Sequence, residues 1–515
     1  MANAQLLVNL LARLLAQLVI KFAKKLNFKS SRLPAVAGSY FSVDKEIIVL
    51  IHRMHLDDNY VVLDVNSGAV HIIDKMIYDM LGVYEGNNGQ ETLQQLKGKY
   101  PQEDMTEALE ELKELQEQGL LFSPEFPIPE TFKFEPVLKS LCLNIAHDCN
   151  LRCGYCFAGT GDFGGKRALM SNEIAEKAVE FAIKGSKKRH NLEMDLFGGE
   201  PLVNFPVVKH VIEYVRKREQ ETGKNIKLTL TTNGTLLTDE IIQFLNDNRV
   251  MLVLSLDGSK ATHDHMRPMT GGRGSYDKAV AGFKKAIASR EGKNYYLRGT
   301  YTHYNTHFAD DTVSMLEVGR EISMEPVVGV DEPYVLTEED WPILDKEYEK
   351  LARIYLEKRR AGEAFDFFHF NVALDNGPCV AKRLAGCGAG HEYYAITPEG
   401  DIYPCHQFVG REEYKMGTLD TGIVKQDMIQ EFRQMHVMNK PACRECWARF
   451  FCSGGCHANA DLINHDLAKP YEYGCKLQRK RLEMAIIVQA LLSEDVNEGK
   501  EDLRPAIDNF KFQTK

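Results

Sequence analysis

No cysteine occurs between Cys156 and Cys379 in this 515-residue chain. The twelve thiols fall into two groups, Cys142, Cys149, Cys153 and Cys156, then eight from Cys379 to Cys475. So few in so long a chain exclude a disulfide scaffold, and no secretory signal precedes them. Two metal-bearing regions in a reducing cytoplasm are expected instead. Basic charge is also in short supply. The net charge of -10 excludes a general nucleic-acid binder, since phosphate contact is driven by Lys and Arg, and favours a small-molecule or peptide partner. With 44% hydrophobic and 26% charged residues, the chain reads as an ordinary globular protein of several domains.

Residues 1–40 lack acidic side chains altogether but carry Arg13, Lys21, Lys24, Lys25, Lys29 and Arg32. From Gln5 to Lys25 a polar residue recurs at every fourth position, which predicts a basic amphipathic helix. Arg13 near its middle argues against a membrane-spanning helix. Contact with a membrane surface or a partner, docking on the chain's own body, and a disordered extension all fit this stretch.

The chemistry is concentrated in His147–Phe157. Cys149, Cys153 and Cys156 are spaced Cys-x3-Cys-x2-Cys, with Tyr155 just before the third. Three thiolates on one loop can hold three irons of a 4Fe-4S cube and leave the fourth iron open to a ligand that is not protein. A zinc knuckle is the alternative, but it needs a fourth ligand nearby and gives Tyr155 no role.

Residues 41–123 read as a small α+β module. Strands are predicted at Ile47–Met54, Tyr60–Val65 and Ala69–Ile73, followed by helices near Met76–Leu81, Glu91–Lys97 and Met105–Leu115. Three strands and three helices suggest a winged-helix-like shape. DNA binding does not follow, because Glu103 to Glu117 holds seven acidic residues and one basic residue, Lys113. An exposed sheet edge can instead take an extended peptide as an added strand. The module resembles the recognition element with which enzymes modifying ribosomally made peptides hold a leader sequence, notably in the run Leu63-Asp64-Val65-Asn66-Ser67-Gly68-Ala69-Val70-His71. Residues 124–136, with Pro124, Pro127, Pro129 and Pro136, read as a stiff linker.

Residues 137–360 alternate strands and helices. Strands are predicted at Ser140–Ala146, Leu192–Phe197, Ile226–Thr231, Met251–Leu256, Tyr296–Tyr301 and Glu325–Val330. Six such βα units predict an α/β fold, a partial (β/α)6 barrel whose chemistry sits on the loops after the strand C-termini. The cysteine loop follows the first strand. Gly198-Gly199-Glu200-Pro201 follows the second, where the glycines would expose backbone polar groups to a ligand and Glu200 could accept from an ammonium. Thr232-Asn233-Gly234 and Ser255-Leu256-Asp257-Gly258 follow the third and fourth.

This arrangement resembles the radical S-adenosylmethionine (SAM) superfamily, in which such a loop holds the cluster and SAM chelates its open iron. The resemblance implies that Tyr155 lies near the adenine, that Gly199 and Glu200 contact the methionine ammonium, and that Asn233, Ser255 and Arg267 are further SAM contacts. For Arg267 a surface charge paired locally is the alternative. Cys142, inside the first strand, reads as a buried small hydrophobe.

The second cysteine group runs Cys387, Gly400 and Cys405, then Cys443-x2-Cys446-x5-Cys452-x3-Cys456, then Cys475. That order resembles the SPASM extension of peptide-modifying radical SAM enzymes, here residues 361–490, before a charged tail at 491–515. It implies one auxiliary cluster on Cys387, Cys405 and Cys456, with Cys379 the candidate fourth ligand. A second would lie on Cys443, Cys446, Cys452 and Cys475. With the cluster on the first loop, that makes three 4Fe-4S clusters in all. Zinc remains the alternative for the thiol tetrads.

Residues 45–485 are similar to maturases that make thioether bonds in six-cysteine peptides (SCIFF maturases, sactipeptide or ranthipeptide type). Gly161-Asp162-Phe163-Gly164-Gly165 and Gly377-Pro378-Cys379 support that subgroup. The resemblance implies a 5′-deoxyadenosyl radical, a ribosomal precursor peptide as partner and an external electron donor. A SPASM dehydrogenase oxidising Ser or Cys of a protein, as sulfatase maturases do, would share the barrel and clusters. A non-enzymatic iron–sulfur electron carrier would share the cysteines without Gly198–Pro201.

Overall fold

A computed structural model describes residues 50–125, 137–374 and 380–503. The basic extension, most of the proline linker, Cys379 and the end of the charged tail lie outside these residues. No helix among the described residues is long and apolar enough to cross a membrane.

The first unit of the described chain is a three-stranded antiparallel sheet of β1 (Ile51–Leu56), β2 (Asn59–Asp64) and β3 (Val70–Ile73), in that order. It is followed by α1 (Lys75–Met80), α2 (Gly89–Gln95) and α3 (Gln102–Glu117). Met105, Ala108, Leu109 and Leu112 recur at helical spacing and bury one face of α3 against Val62 and Met80.

Six parallel strands then alternate with helices. These are β4 (Ser140–Ala146), β5 (Asn191–Gly198), β6 (Asn225–Thr232), β7 (Val250–Ser255), β8 (Tyr295–Tyr301) and β9 (Glu321–Pro326). β4 is buried along nearly all of its length, whereas β5 and β6 bury alternate residues, Leu192, Met194 and Leu196 of β5 and Ile226, Leu228 and Leu230 of β6. That period of two turns Asp195 and Phe197 to the opposite face. The helices that follow three of the strands start at side-chain caps. Ser171 accepts from Ile174 N–H, Thr238 from Ile241 N–H and Ser259 from Thr262 N–H, each satisfying an otherwise orphaned donor.

β9 begins four residues before the predicted strand. The apolar run Val327-Val328-Gly329-Val330 looks more strand-like, but Val330 is exposed. The residues that pair with β8 are Ile322 to Pro326, with Ile322 and Met324 buried. Ser323 and Glu325 take the alternate face, so the strand lacks the apolar continuity that the sequence seemed to require.

The sheet does not end with the barrel. A short β10 (Asp366–Phe367) pairs in parallel with β9 at one edge, and β11 (Tyr393–Ile396) pairs in parallel with β4 at the other. β12 (Asp401–Tyr403), β13 (Gly417–Thr418) and β14 (Gly422–Ile423) extend it antiparallel to eleven strands. The predicted boundary at residues 360/361 therefore cuts through one hydrogen-bonded sheet. The boundary at 490/491 falls inside a helix, Glu472–Asn497, which starts before Cys475 and ends beyond Leu492. Lys480 of this helix pairs with Asp345 and Glu349 of the barrel's last long helix, Trp341–Arg360.

The N-terminal module is clamped to the segment carrying Cys446 and Cys452. The His52 ring stacks on Trp447, with centroids 3.9 Å apart, and His52 Nε2 lies 2.8 Å from Glu483 Oε1. Arg449, fully buried, donates to Asn66 Oδ1 and Glu125 Oε1, and Arg444 donates to Glu125 Oε2 at 2.7 Å.

Candidate active site

The loop after β4 is held from two sides. Arg152 N–H donates to Pro268 O and Gly154 N–H to Met266 O, both at 2.8 Å. Asn150 Nδ2 donates to Thr235 Oγ1 at 2.8 Å and its Oδ1 accepts from Asn233 Nδ2 at 2.9 Å. Asn233 thus ties the loop after β6 to the cysteine loop, with its Nδ2 3.9 Å from Cys149 Sγ. Cys149, Cys153 and Cys156 lie within electrostatic reach of one another. Burial pushes the Cys149 thiol up to about 11, Cys153 up to about 12 and Cys156 upward. Such thiols ionise readily only beside a strong positive charge, which bound iron provides.

Gly198 closes β5 and Gly199 follows it. Gly199 N–H donates to Ala146 O at 2.8 Å and Glu200 N–H to Asp148 O at 2.9 Å. Those donors are occupied by the cysteine loop rather than offered to a ligand. Glycine is required because a Cβ on Gly198 would stand 2.3 Å from Ala146 O, and one on Gly199 2.2 Å from Asp148 O. Their absent side chains let the β5 loop lie flat against the loop after β4.

Glu200 is 1% exposed. Its carboxylate accepts from Thr232 Oγ1 at 2.8 Å, Asn233 N–H at 2.8 Å and Leu202 N–H at 3.1 Å. Burial outweighs these donors and pushes its pKa up to about 7. An ammonium beside it would draw it back to the ionised form.

Tyr155 and Arg267 meet at Asp257, a residue whose role the sequence did not disclose. Asp257 Oδ2 accepts from Tyr155 Oη at 2.5 Å and Arg267 Nε at 2.8 Å, while Oδ1 accepts from Thr300 N–H at 2.9 Å. The Arg267 guanidinium lies 5.3 Å from the Tyr155 ring centroid. Arg267 is therefore no surface charge. Its side chain is 12% exposed and that of Asp257 fully buried. Ser255 stands half-buried at the C-terminal end of β7, its backbone opposite Arg298.

The second cysteine group falls into two neighbourhoods among the described residues. Cys405 is within electrostatic reach of Cys387 and Cys456, and Cys475 of Cys443, Cys446 and Cys452. Burial raises Cys443 and Cys456 to about 11 and Cys475 to about 12. Cys142 packs in an apolar cluster with Cys405 and Ala395, in keeping with its reading as a small hydrophobe.

Comparison with known proteins agrees with this geometry. The Radical SAM superfamily matches residues 143–297, and SPASM, an iron–sulfur cluster-binding domain, matches residues 387–447. The chain carries a radical SAM domain and a SPASM domain. Its radical SAM domain binds SAM and a 4Fe-4S cluster, and its SPASM domain binds auxiliary iron–sulfur clusters. The chain is similar to the cysteine-type anaerobic sulfatase-maturating enzyme of Clostridium novyi, 25% identical over 351 residues, covering 63% of this chain and 90% of the relative. It is 23% identical over 346 residues to the radical SAM cyclopropyl synthase TigE of Paramaledivibacter caminithermalis, covering 62% and 68% of the two chains. Among solved structures, native anSMEcpe with bound AdoMet and Cp18Cys peptide shares the fold, with a TM-score of 0.58 and 20% identity. That match covers 70% of this chain and all of the other.

Proposed function

We propose that this radical SAM/SPASM enzyme installs cysteine thioether cross-links in a ribosomally made, cysteine-rich peptide. The observation that carries the reading is the clamp of the N-terminal module onto the second cysteine group. His52 lies on Trp447, Asn66 on Arg449 and Glu125 on Arg444, within or beside the Cys446–Cys452 segment. A leader peptide added to the sheet would be anchored beside an auxiliary cluster, so its core segment would meet the barrel mouth at high effective concentration. Among the described residues the outer edge of β3 carries no further strand, and Ile72 and Leu120 are exposed near it. Such an edge can receive an extended chain.

In this reading Cys149, Cys153 and Cys156 hold the SAM-binding cluster, and Tyr155, Gly199, Glu200, Asn233, Ser255 and Arg267 form the SAM site. Glu200 offers its carboxylate to the methionine ammonium, and Asp257 fixes both Tyr155 and Arg267. Gly199 acts by its lack of a side chain. Cys387, Cys405 and Cys456, with Cys379, hold one auxiliary cluster, and Cys443, Cys446, Cys452 and Cys475 the other. SAM and a cluster held by these residues would supply radical chemistry for hydrogen abstraction, given one electron from an external donor. The protein's share is orientation, exclusion of water and placement of the substrate thiol.

A second reading has support of its own. The relative in Clostridium novyi is a sulfatase-maturating enzyme, and the match fills 90% of it, which favours a dehydrogenase acting on a Ser or Cys side chain.

Anaerobic reconstitution with a cysteine-rich peptide encoded nearby separates the two. Thioether formation removes two hydrogens per bridge and one free thiol, with fragmentation placing the new bond. An aldehyde at a Cys or Ser, with no bridge, would establish the dehydrogenase instead. The loaded protein should contain about twelve irons for three cubes, and a zinc-bound, iron-free protein would end both readings.

A further inference from the structure

Lys440 is fully buried between the two cysteine sets of the SPASM domain. Its backbone carbonyl accepts from Cys443 N–H and Arg444 N–H, both at 2.9 Å, at the start of the segment carrying Cys443 and Cys446. Its ammonium reaches the other way. Nζ donates to Gly454 O at 3.2 Å and lies 3.3 Å from His457 Nδ1, the two residues that bracket Cys456 within its loop. Burial pulls its ammonium below the usual lysine range, and against this work thiols of both sets, Cys443, Cys452 and Cys475 from one and Cys456 from the other. An ammonium taken out of water is strongly unfavourable without an anion to compensate it.

We infer that Lys440 is the shared counter-ion of the two auxiliary clusters and holds their reduction potentials up. The inference rests on the assignment of these cysteines to two clusters. A fixed positive charge close to both favours the reduced, more negative state of each, because the Coulomb energy grows as the medium becomes less polar. It also gives the two clusters a common electrostatic reference, so an electron accepted at either meets the same charge. Lys440 is a positioning residue in this scheme and touches no substrate.

The test is a dye-mediated redox titration of the reconstituted holoenzyme followed by EPR, on the wild type, Lys440→Met and Lys440→Arg. Methionine keeps the length of the side chain and removes its charge; arginine keeps the charge. In Lys440→Met at least one auxiliary centre should titrate to lower potential. At a fixed poise near its midpoint, the ratio of reduced to oxidised centre should drop tenfold or more, which is 59 mV for a one-electron couple. The SAM-binding cluster should stay at its wild-type potential, and Lys440→Arg should leave all three in place. Loaded Lys440→Met with unmoved potentials, or Lys440→Arg shifted as far as Lys440→Met, overturns the counter-ion role while leaving the clusters assigned. Should Lys440→Met fail to load, Lys440→Arg decides, because retained charge must then restore both iron content and potential. A wild type with fewer than two auxiliary centres by iron analysis and EPR removes the assignment beneath it.

Discussion

The imidazole of His52 lies on the indole of Trp447 with their planes 4° from parallel, so the first strand of the N-terminal sheet rests on the residue that follows Cys446. An aromatic pair of this kind contributes ~0.5–1.5 kcal/mol beyond its buried area. Trp447→Ala should loosen the module without unfolding the barrel. Hydrogen exchange of β1 and β2 should accelerate, and the KM for precursor peptide should rise several-fold while uncoupled SAM cleavage is kept. Unchanged exchange in β1 would mean that the ion pairs through Arg444 and Arg449 carry the clamp alone.

Gly199→Ala should abolish the SAM-binding cluster. The new methyl would stand 2.2 Å from Asp148 O, next to Cys149. Iron content should fall by about four per chain, one cube, with both auxiliary EPR signals kept and SAM cleavage lost. Gly165→Ala is the control, since its Cβ would meet nothing nearer than Asp162 O at 3.4 Å.

Glu200 gives a pH dependence whose sign is fixed. Burial raises its carboxyl from 4.5 to about 7 in the SAM-free protein, so below pH 7 the site holds a proton that an incoming ammonium must displace. Affinity for SAM should therefore rise with pH up to about 7 and level off above it. Anaerobic calorimetry in buffers of different ionisation enthalpy should detect proton release below pH 7. Glu200→Gln should bind more weakly and show no such slope. Because folding also raises this pKa, the residue's contribution to stability is complete below pH 4.5 and is lost as pH rises through 7.

Asp257→Asn should release Arg267 and Tyr155 together. A hydrogen bond to a charged group is worth ~1.5–3 kcal/mol, so SAM affinity should fall about ten- to a hundredfold. Tyr155→Phe removes only the hydroxyl that Asp257 accepts and should cost less. Equal losses in the two variants would show that Tyr155, rather than Arg267, is the group Asp257 serves.

Much of the site was legible in the sequence, because cysteine spacing and the punctuation of strands by Gly, Ser and Thr are local signals. The first barrel strand, Ser140–Ala146, matches its expected bounds, since its apolar run is closed by the cysteine loop. What escaped was long-range. Asp257 reads as an ordinary turn residue until Tyr155, 102 positions earlier, is folded onto it. That Gly198 and Gly199 also make room for the loop after β4 shows only when Ala146 and Asp148 are seen opposite them. β9 was misplaced because its inner face is polar, and an amphipathic strand beside an apolar loop presents the weaker pattern.

The pairing of β11 with β4 bears on how this protein can be handled. Residues 393–396 complete the hydrogen bonding of the barrel's first strand, so a barrel cut off near residue 361 would leave that strand's edge bare. The released C-terminal piece would carry the matching edge of β11. Each fragment would then present an open ladder to its neighbours in solution, the usual start of aggregation. Expression and iron loading should accordingly succeed for the intact chain and fail for either half alone.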